Sequence, residues 1–170
     1  TFPSKDGLAI TADKYFIDTV SPVIVLCHQA GWSRGEYRET AKKFNASGFN
    51  CLAIDQRSGE KVNGVENETA AQAKKKNLPA EYIHAEQDMI AAVEYAYGLT
   101  GKKVILLGSS YSASLALKIG KENDKVYAVV SFSPGEYFKG DLDVQKAVTG
   151  LDKPVFVTSS RSEATRVTKL

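Results

Sequence analysis

Val104-Ile105-Leu106-Leu107-Gly108-Ser109-Ser110-Tyr111-Ser112 is the stretch on which the fold of this chain is decided. Four apolar residues in a row suit a strand buried on both faces. Gly108 to Ser112 then places small residues around one tyrosine, as a sharp turn requires. Residues 113–120 continue as a helix that is apolar nearly all round. A buried strand, a tight turn with a serine at its apex and a central helix together have the form of a nucleophile elbow. Such a turn exposes the Ser110 hydroxyl. The helix N-terminus behind it offers free backbone N–H groups and a partial positive charge where an oxyanion would form. Ser109 is expected to point into the sheet. Ser112 stands where glycine is usual, so some crowding of helix against strand is expected. The same residues also fit an ordinary strand–turn–helix with polar turn residues.

Working outward, residues 23–27, 51–54, 128–130 and 155–157 are further short apolar runs, each suited to a strand covered on both sides. Helical patterns alternate with them. Ser33-Arg34-Gly35-Glu36 reads as a capping box, followed by Tyr37, Ala41 and Phe44 on one face, with Gly48 as the C-terminal cap. Residues 82–97 carry Ile83, Ile90, Val93 and Tyr97 at helical spacing, and residues 141–148 form a shorter candidate. At the N-terminus, Asp6-Gly7 supplies the turn of a hairpin whose second arm runs over residues 8–16. The pattern predicts an α/β fold: a mostly parallel central sheet with helices on both faces, and an antiparallel N-terminal hairpin. Residues 58–80 form a long polar connection that either covers part of a site or merely decorates the surface. The link between Ser133 and Pro154 leaves little room for a lid.

At 170 residues the chain is long enough for one full core and too short for two comfortable domains. A net charge of +2 gives no argument for nucleic acid or a membrane surface as partner. Lys74-Lys75-Lys76 reads as a solvated face. Cys27 and Cys51 sit at apolar strand edges, as buried free thiols do. Two glycosylation sequons, at Asn45 and Asn67, carry no information without a secretory context, and the compartment is not fixed by the sequence.

Four motifs in order resemble the α/β-hydrolases, most closely the small, lidless dienelactone hydrolase-like branch. Gly108 to Ser112 matches the elbow. Cys27-His28-Gln29-Ala30-Gly31 lies where that family keeps its oxyanion loop. Asp55-Gln56-Arg57-Ser58-Gly59 is similar to its D-x-R-G-x-G turn, and Ser133-Pro134 ends the strand after the elbow. The resemblance spans essentially the whole chain and implies one domain over residues 1–170, shortened at both ends. The first residue is Thr1, and Leu170 falls as the next helix begins.

Acyl transfer needs a nucleophile, a base, an acid to orient the base, and oxyanion donors. Ser110 fits the nucleophile, and the backbone N–H groups of Tyr111 and Ala30 fit the oxyanion hole. By resemblance the acid falls in Ser159-Ser160-Arg161-Ser162-Glu163, which selects Glu163, with Glu136 as the alternative; a surface glutamate capping the next helix is the plain reading of Glu163. Trp32 and Tyr137 are candidate substrate contacts, alongside Phe138, against ordinary packing. Arg57 either binds a substrate carboxylate or stabilises its own turn through Asp55. His28 belongs to the oxyanion loop and His84 to the helix before the elbow strand, so neither stands where the base is expected, downstream of the acid. The expectation is a serine hydrolase of small or medium carboxylic esters acting through an acyl-enzyme on Ser110, with no cofactor and no metal. The rivals are an amidase, thioesterase or peptidase on the same site, and a catalytically inactive binding module on the hydrolase fold.

Overall fold

The structure, a computed structural model, describes residues 1–170. Strands β1 (Phe2–Pro3) and β2 (Ala9–Ile10) form the N-terminal hairpin, with Phe2 opposite Ile10. Its turn closes through Gly7 N–H donating to the Ser4 carbonyl at 2.9 Å, with Gly7 at φ 78°, where a β-carbon is strained. The second arm does not run unbroken over residues 8–16. It turns a corner at Thr11, whose N–H donates to Thr69 Oγ1 (2.9 Å) and whose carbonyl accepts from Asp55 N–H (2.9 Å). Beyond that corner β3 (Ala12–Tyr15) leaves the hairpin and joins the central sheet.

That sheet takes in β4 (Val23–Cys27), β5 (Asn50–Ile54), β6 (Val104–Ser109), β7 (Val126–Phe132) and β8 (Val155–Thr158), in the order β3-β5-β4-β6-β7-β8. Every pairing is parallel except β3 on β5. All residues of β4 and β5 are buried, as their continuous apolar runs predicted. Alternate residues serve opposite faces. Val23, Val25, Cys27 and Leu106 join the larger core, whereas Ile24, Leu26 and Leu107 join the smaller one.

Helix α1 (Arg38–Ala46) covers the smaller core with Tyr37 and Ala41. Helix α2 (Glu68–Lys75), capped by Asn67, lies within the polar connection. Helices α3 (Ala85–Thr100) and α4 (Tyr111–Glu122) pack on the larger core, and α5 (Val144–Val148) and α6 (Ala164–Val167) are short. The packed stripe of α3 is Ala85, Met89, Ala92, Val93 and Ala96, and Ile90 faces outward at 36% exposure, contrary to the helical reading. Alanines let this helix approach the sheet closely, which fixes its rotation more strongly than the isoleucine does. The capping box is half made. Ser33 Oγ accepts from Gly35 N–H (3.2 Å) at the head of a 3-10 turn, Arg34–Tyr37, while the Glu36 carboxylate reaches back to Gln29 N–H (2.8 Å). Cys27 and Cys51 are buried free thiols, and burial pushes both up, Cys51 to about 12. No helix is long and apolar enough to cross a membrane.

Candidate active site

The elbow forms at the carboxyl end of β6. Ser110 adopts φ 59°, ψ −123°, a region that costs a non-glycine residue on the order of 1–3 kcal/mol. Its N–H donates to the Phe132 carbonyl (2.8 Å) and its own carbonyl accepts from Ala113 N–H (3.0 Å), so the strained residue is held on both sides. Its side chain makes no capping bond to α4, which leaves the hydroxyl uncommitted. Gly108 permits the turn. A β-carbon there would lie 2.3 Å from the Ser112 carbonyl oxygen and 2.7 Å from Ala113 N, contacts with backbone that cannot move aside.

Ser112 brings no crowding. Its Oγ accepts from Ser109 N–H (2.9 Å) and donates to the Cys27 carbonyl (2.8 Å), tying the elbow to the end of β4. The loop that follows β4 therefore lies beside the elbow. Ala30 N–H donates to no backbone carbonyl, and Tyr111 N–H is the first of α4, where intrahelical acceptors are lacking.

His28 is fully buried in that loop. Gln56 N–H points at its Nε2 (3.0 Å), so Nε2 accepts, and the proton resides on Nδ1, which donates to the Gln29 carbonyl (2.8 Å). Burial lowers its pKa to about 4, so the ring is neutral. The Gln56 side chain completes the staple, accepting from His28 N–H (3.0 Å) and donating to its carbonyl (3.2 Å). His84 ends a 3-10 turn, Tyr82–His84, and its Nδ1 lies 2.9 Å from Glu81.

On the far side of the elbow, Glu163 Oε2 accepts from Ser133 Oγ (2.9 Å), Ser160 Oγ (2.7 Å) and Ser160 N–H (3.2 Å). The Ser160 and Ser133 bonds hold its carboxyl below the ordinary range. Ser133 directly follows Phe132, the residue that anchors Ser110 N–H. The ends of β6, β7 and β8 thus carry Ser110, Ser133 and Glu163 side by side. Glu136 is occupied otherwise, its carboxylate accepting from Val144 and Gln145 N–H (both 2.9 Å) at the start of α5.

Arg57 does not pair with Asp55. It is fully buried against Asp88 (2.7 Å) and also binds Asp6 (2.7 Å), joining the turn after β5 to α3 and the hairpin. Asp55 instead binds Arg34 (2.6 Å) and Glu68 N–H (2.9 Å). Trp32, at 38% exposure, backs onto Gly59 and Asn67. Tyr137 lies on the other side, its hydroxyl donating to the Ser133 carbonyl (2.9 Å). Tyr137 faces a cleft of about 340 Å³ together with Tyr82, a residue that the periodicity placed only at a helix start. The Tyr82 ring stacks on that of Tyr111 with centroids 4.5 Å apart. No local sequence signal marks this pairing across 29 positions.

A serine at the apex of a β6–α4 elbow, an adjacent loop after β4 and an acidic residue after β8, on a six-stranded sheet of this order, define an α/β-hydrolase. The chain belongs to the serine aminopeptidase S33 family of these hydrolases, which it matches over residues 18–165. It is similar in structure to a dienelactone hydrolase from Anabaena variabilis (TM-score 0.70, 18% identity, 94% of this chain and 71% of that one). It is also similar to an esterase from Pyrococcus furiosus (0.65, 18%, 92% and 67%). A monoacylglycerol lipase from Paleococcus ferrophilus is matched over 75% of this chain (0.51, 20%), which spans 44% of the lipase. At these identities the likeness is one of fold. The chain matches no curated protein by sequence.

Proposed function

We propose that the full-length protein is a serine hydrolase of small or medium carboxylic esters, with Ser110 forming an acyl-enzyme. The observation that carries this is the Ser110 backbone: a strained residue held at the head of a buried helix with its hydroxyl left free. Tyr111 and Ala30 N–H groups are the proposed oxyanion donors, worth about 10²–10³-fold in turnover for one donor. Glu163 is the proposed acid, supported by its ties to Ser133 and Ser160. In this reading neither histidine of the chain is the base. Both ring nitrogens of His28 are engaged in the loop, and His84 faces Glu81. No residue of this chain is proposed as the base. Tyr137 and Trp32 are the proposed substrate contacts.

Amide cleavage at the same serine is the second reading, favoured by the family's designation as aminopeptidases. The test is fluorophosphonate labelling of the full-length protein, with nitrophenyl esters of graded acyl length and matched anilides. Labelling is expected to vanish in Ser110→Ala while the fold is kept, and esters of short acids are expected to be the fastest substrates. Labelling that persists, or that maps to Ser109 or Ser112, overturns the assignment. Faster anilides select the amidase reading.

A further inference from the structure

A cleft with aromatic walls is tied to the elbow on one side, where Tyr82 stacks on Tyr111, the residue after Ser110. Tyr82 and Ile83 form one side, and Tyr137 and Phe138 the other. Tyr82 stacks one ring face on Tyr111, the residue after the proposed nucleophile, and is 39% exposed, so the ring is only partly covered. Tyr137 is fixed by its bond to the Ser133 carbonyl, next to the Phe132 carbonyl that anchors Ser110. Phe138 is 3% exposed and closes the floor. A volume of about 340 Å³ is that of a small-molecule site. The charged residues that reach it, Glu81, Asp141 and Lys139, sum to −1, which gives no attraction for an anionic ligand and only a weak one for a cation.

We propose that this cleft is a subsite for a flat, uncharged aromatic ring of the substrate, with Tyr82 as the residue that selects it. The link to turnover rests on the reading of Ser110 as nucleophile; the binding itself does not. A planar ring continues the Tyr111–Tyr82 stack, whereas a puckered saturated ring of the same carbon count cannot lie flat on it. The saturated ring is the more hydrophobic of the two, so burial alone favours it, and a lead for the aromatic ester reports stacking.

The experiment uses the full-length protein and two matched pairs. Benzyl acetate against cyclohexylmethyl acetate places the ring on the alcohol. Ethyl 3-phenylpropanoate against ethyl 3-cyclohexylpropanoate places it on the acid. In at least one pair the aromatic ester is expected to lead by about 3- to 10-fold in kcat/KM. Tyr82→Ala and Tyr82→Leu are both expected to bring that pair to parity. The leucine keeps apolar bulk over Tyr111, and its melting curve reports whether the fold survives. Parity in both pairs for the unmodified protein, or an aromatic preference that survives in Tyr82→Leu, overturns the proposal.

Binding is read separately, by NMR titration of the Ser110→Ala protein with benzyl acetate and with cyclohexylmethyl acetate. Saturable shifts of the Tyr82 ring signals by the aromatic ester alone support the subsite even where no ester is turned over, an outcome that would sink the esterase reading only. Equal or non-saturable shifts overturn the subsite, whatever the turnover.

Discussion

Ser110 begins a helix in which nine of twelve residues are buried; Glu163 begins one of four residues in which none is. The strands behind them differ in the same way. Leu106 and Leu107 of β6 are fully buried, while all four residues of β8 are exposed and the strand forms the edge of the sheet. The elbow can hold a left-handed serine because packing on every side over-determines its backbone. The acidic residue is placed instead by a few polar contacts, chiefly with Ser133 and Ser160. One half of the proposed site is fixed by packing and the other by hydrogen bonds. Side-chain changes on the edge should therefore alter chemistry without altering stability, and changes beneath the buried half should do the reverse.

The largest expected effect is on the edge. Glu163→Gln keeps the shape and loses the charge. Turnover in the full-length protein is expected to fall by about 10⁴-fold, as when the orienting acid of a catalytic triad is neutralised. The melting temperature at pH 7 is expected to hold. Hydrogen bonds depress the Glu163 pKa, so the ionised form of this partly exposed carboxylate adds a small stability, too little to move the melting temperature much, that is present above its ordinary 4.5 and is lost as pH falls through the folded pKa. A lowered melting temperature with turnover preserved would reverse the contrast between the halves.

Beneath the buried half, Asp88→Ala leaves Arg57 without its fully buried partner. Asp88 accepts from Arg57 Nε, Nη2 and backbone N–H, and neither side chain reaches solvent. Breaking such a pair costs about 3–5 kcal/mol, whereas replacing both members by apolar residues is close to neutral. Urea unfolding of Asp88→Ala and of the double variant Arg57→Met/Asp88→Leu separates the two. If the double variant is as unstable as the single one, the network does more than balance charge, and Asp6 and Ser4 on the hairpin are the groups to examine.

That network also shows where the sequence stops being legible. The strands could be read because continuous apolar runs in short segments have few other uses in an α/β chain. The elbow could be read because a sharp strand-to-helix turn admits only small residues around its apex. For Arg57 the sequence offers a substrate carboxylate or its chain neighbour Asp55, but its partners in the fold lie 31 and 51 positions away, and pairing at that range leaves no trace in one sequence. Glu36 fitted a capping box by spacing, yet its carboxylate serves a loop seven residues back. Ile90 fitted an apolar stripe by period alone, whereas the alanines beside it set the rotation of α3. In the candidate site, the strand-to-helix turn at Ser110 was legible in the local pattern, whereas the stack of Tyr82 on Tyr111 depends on a neighbour brought by the fold.

Glu36 gives the smallest and most discriminating test, because it lies under the loop that joins the two kinds of support. Its carboxylate accepts from Gln29 N–H, one residue before the proposed donor Ala30. Burial raises its pKa from 4.5 to about 7, with the Gln29 and Tyr37 hydrogen bonds offsetting only part of the rise. The folded state then holds the proton more tightly than the unfolded state does. The resulting stability is fully present below pH 4.5 and is lost as pH rises through 7, a swing of roughly 3 kcal/mol at 1.36 kcal/mol per pH unit. Glu36→Gln carries no such proton. Relative to the unmodified protein, it is expected to be no more stable at pH 4.5 and more stable by roughly 2–3 kcal/mol at pH 8. The amide oxygen still accepts from Gln29 N–H, so hydrolysis of short esters is expected to survive in Glu36→Gln and to drop in Glu36→Ala, which leaves that N–H without a partner. Urea midpoints at the two pH values decide the matter. A gap between variant and parent that stays constant from pH 4.5 to 8 would show that Glu36 ionises in the fold as freely as in water, and that the loop beside the elbow is held from the carbonyl and His28 side alone.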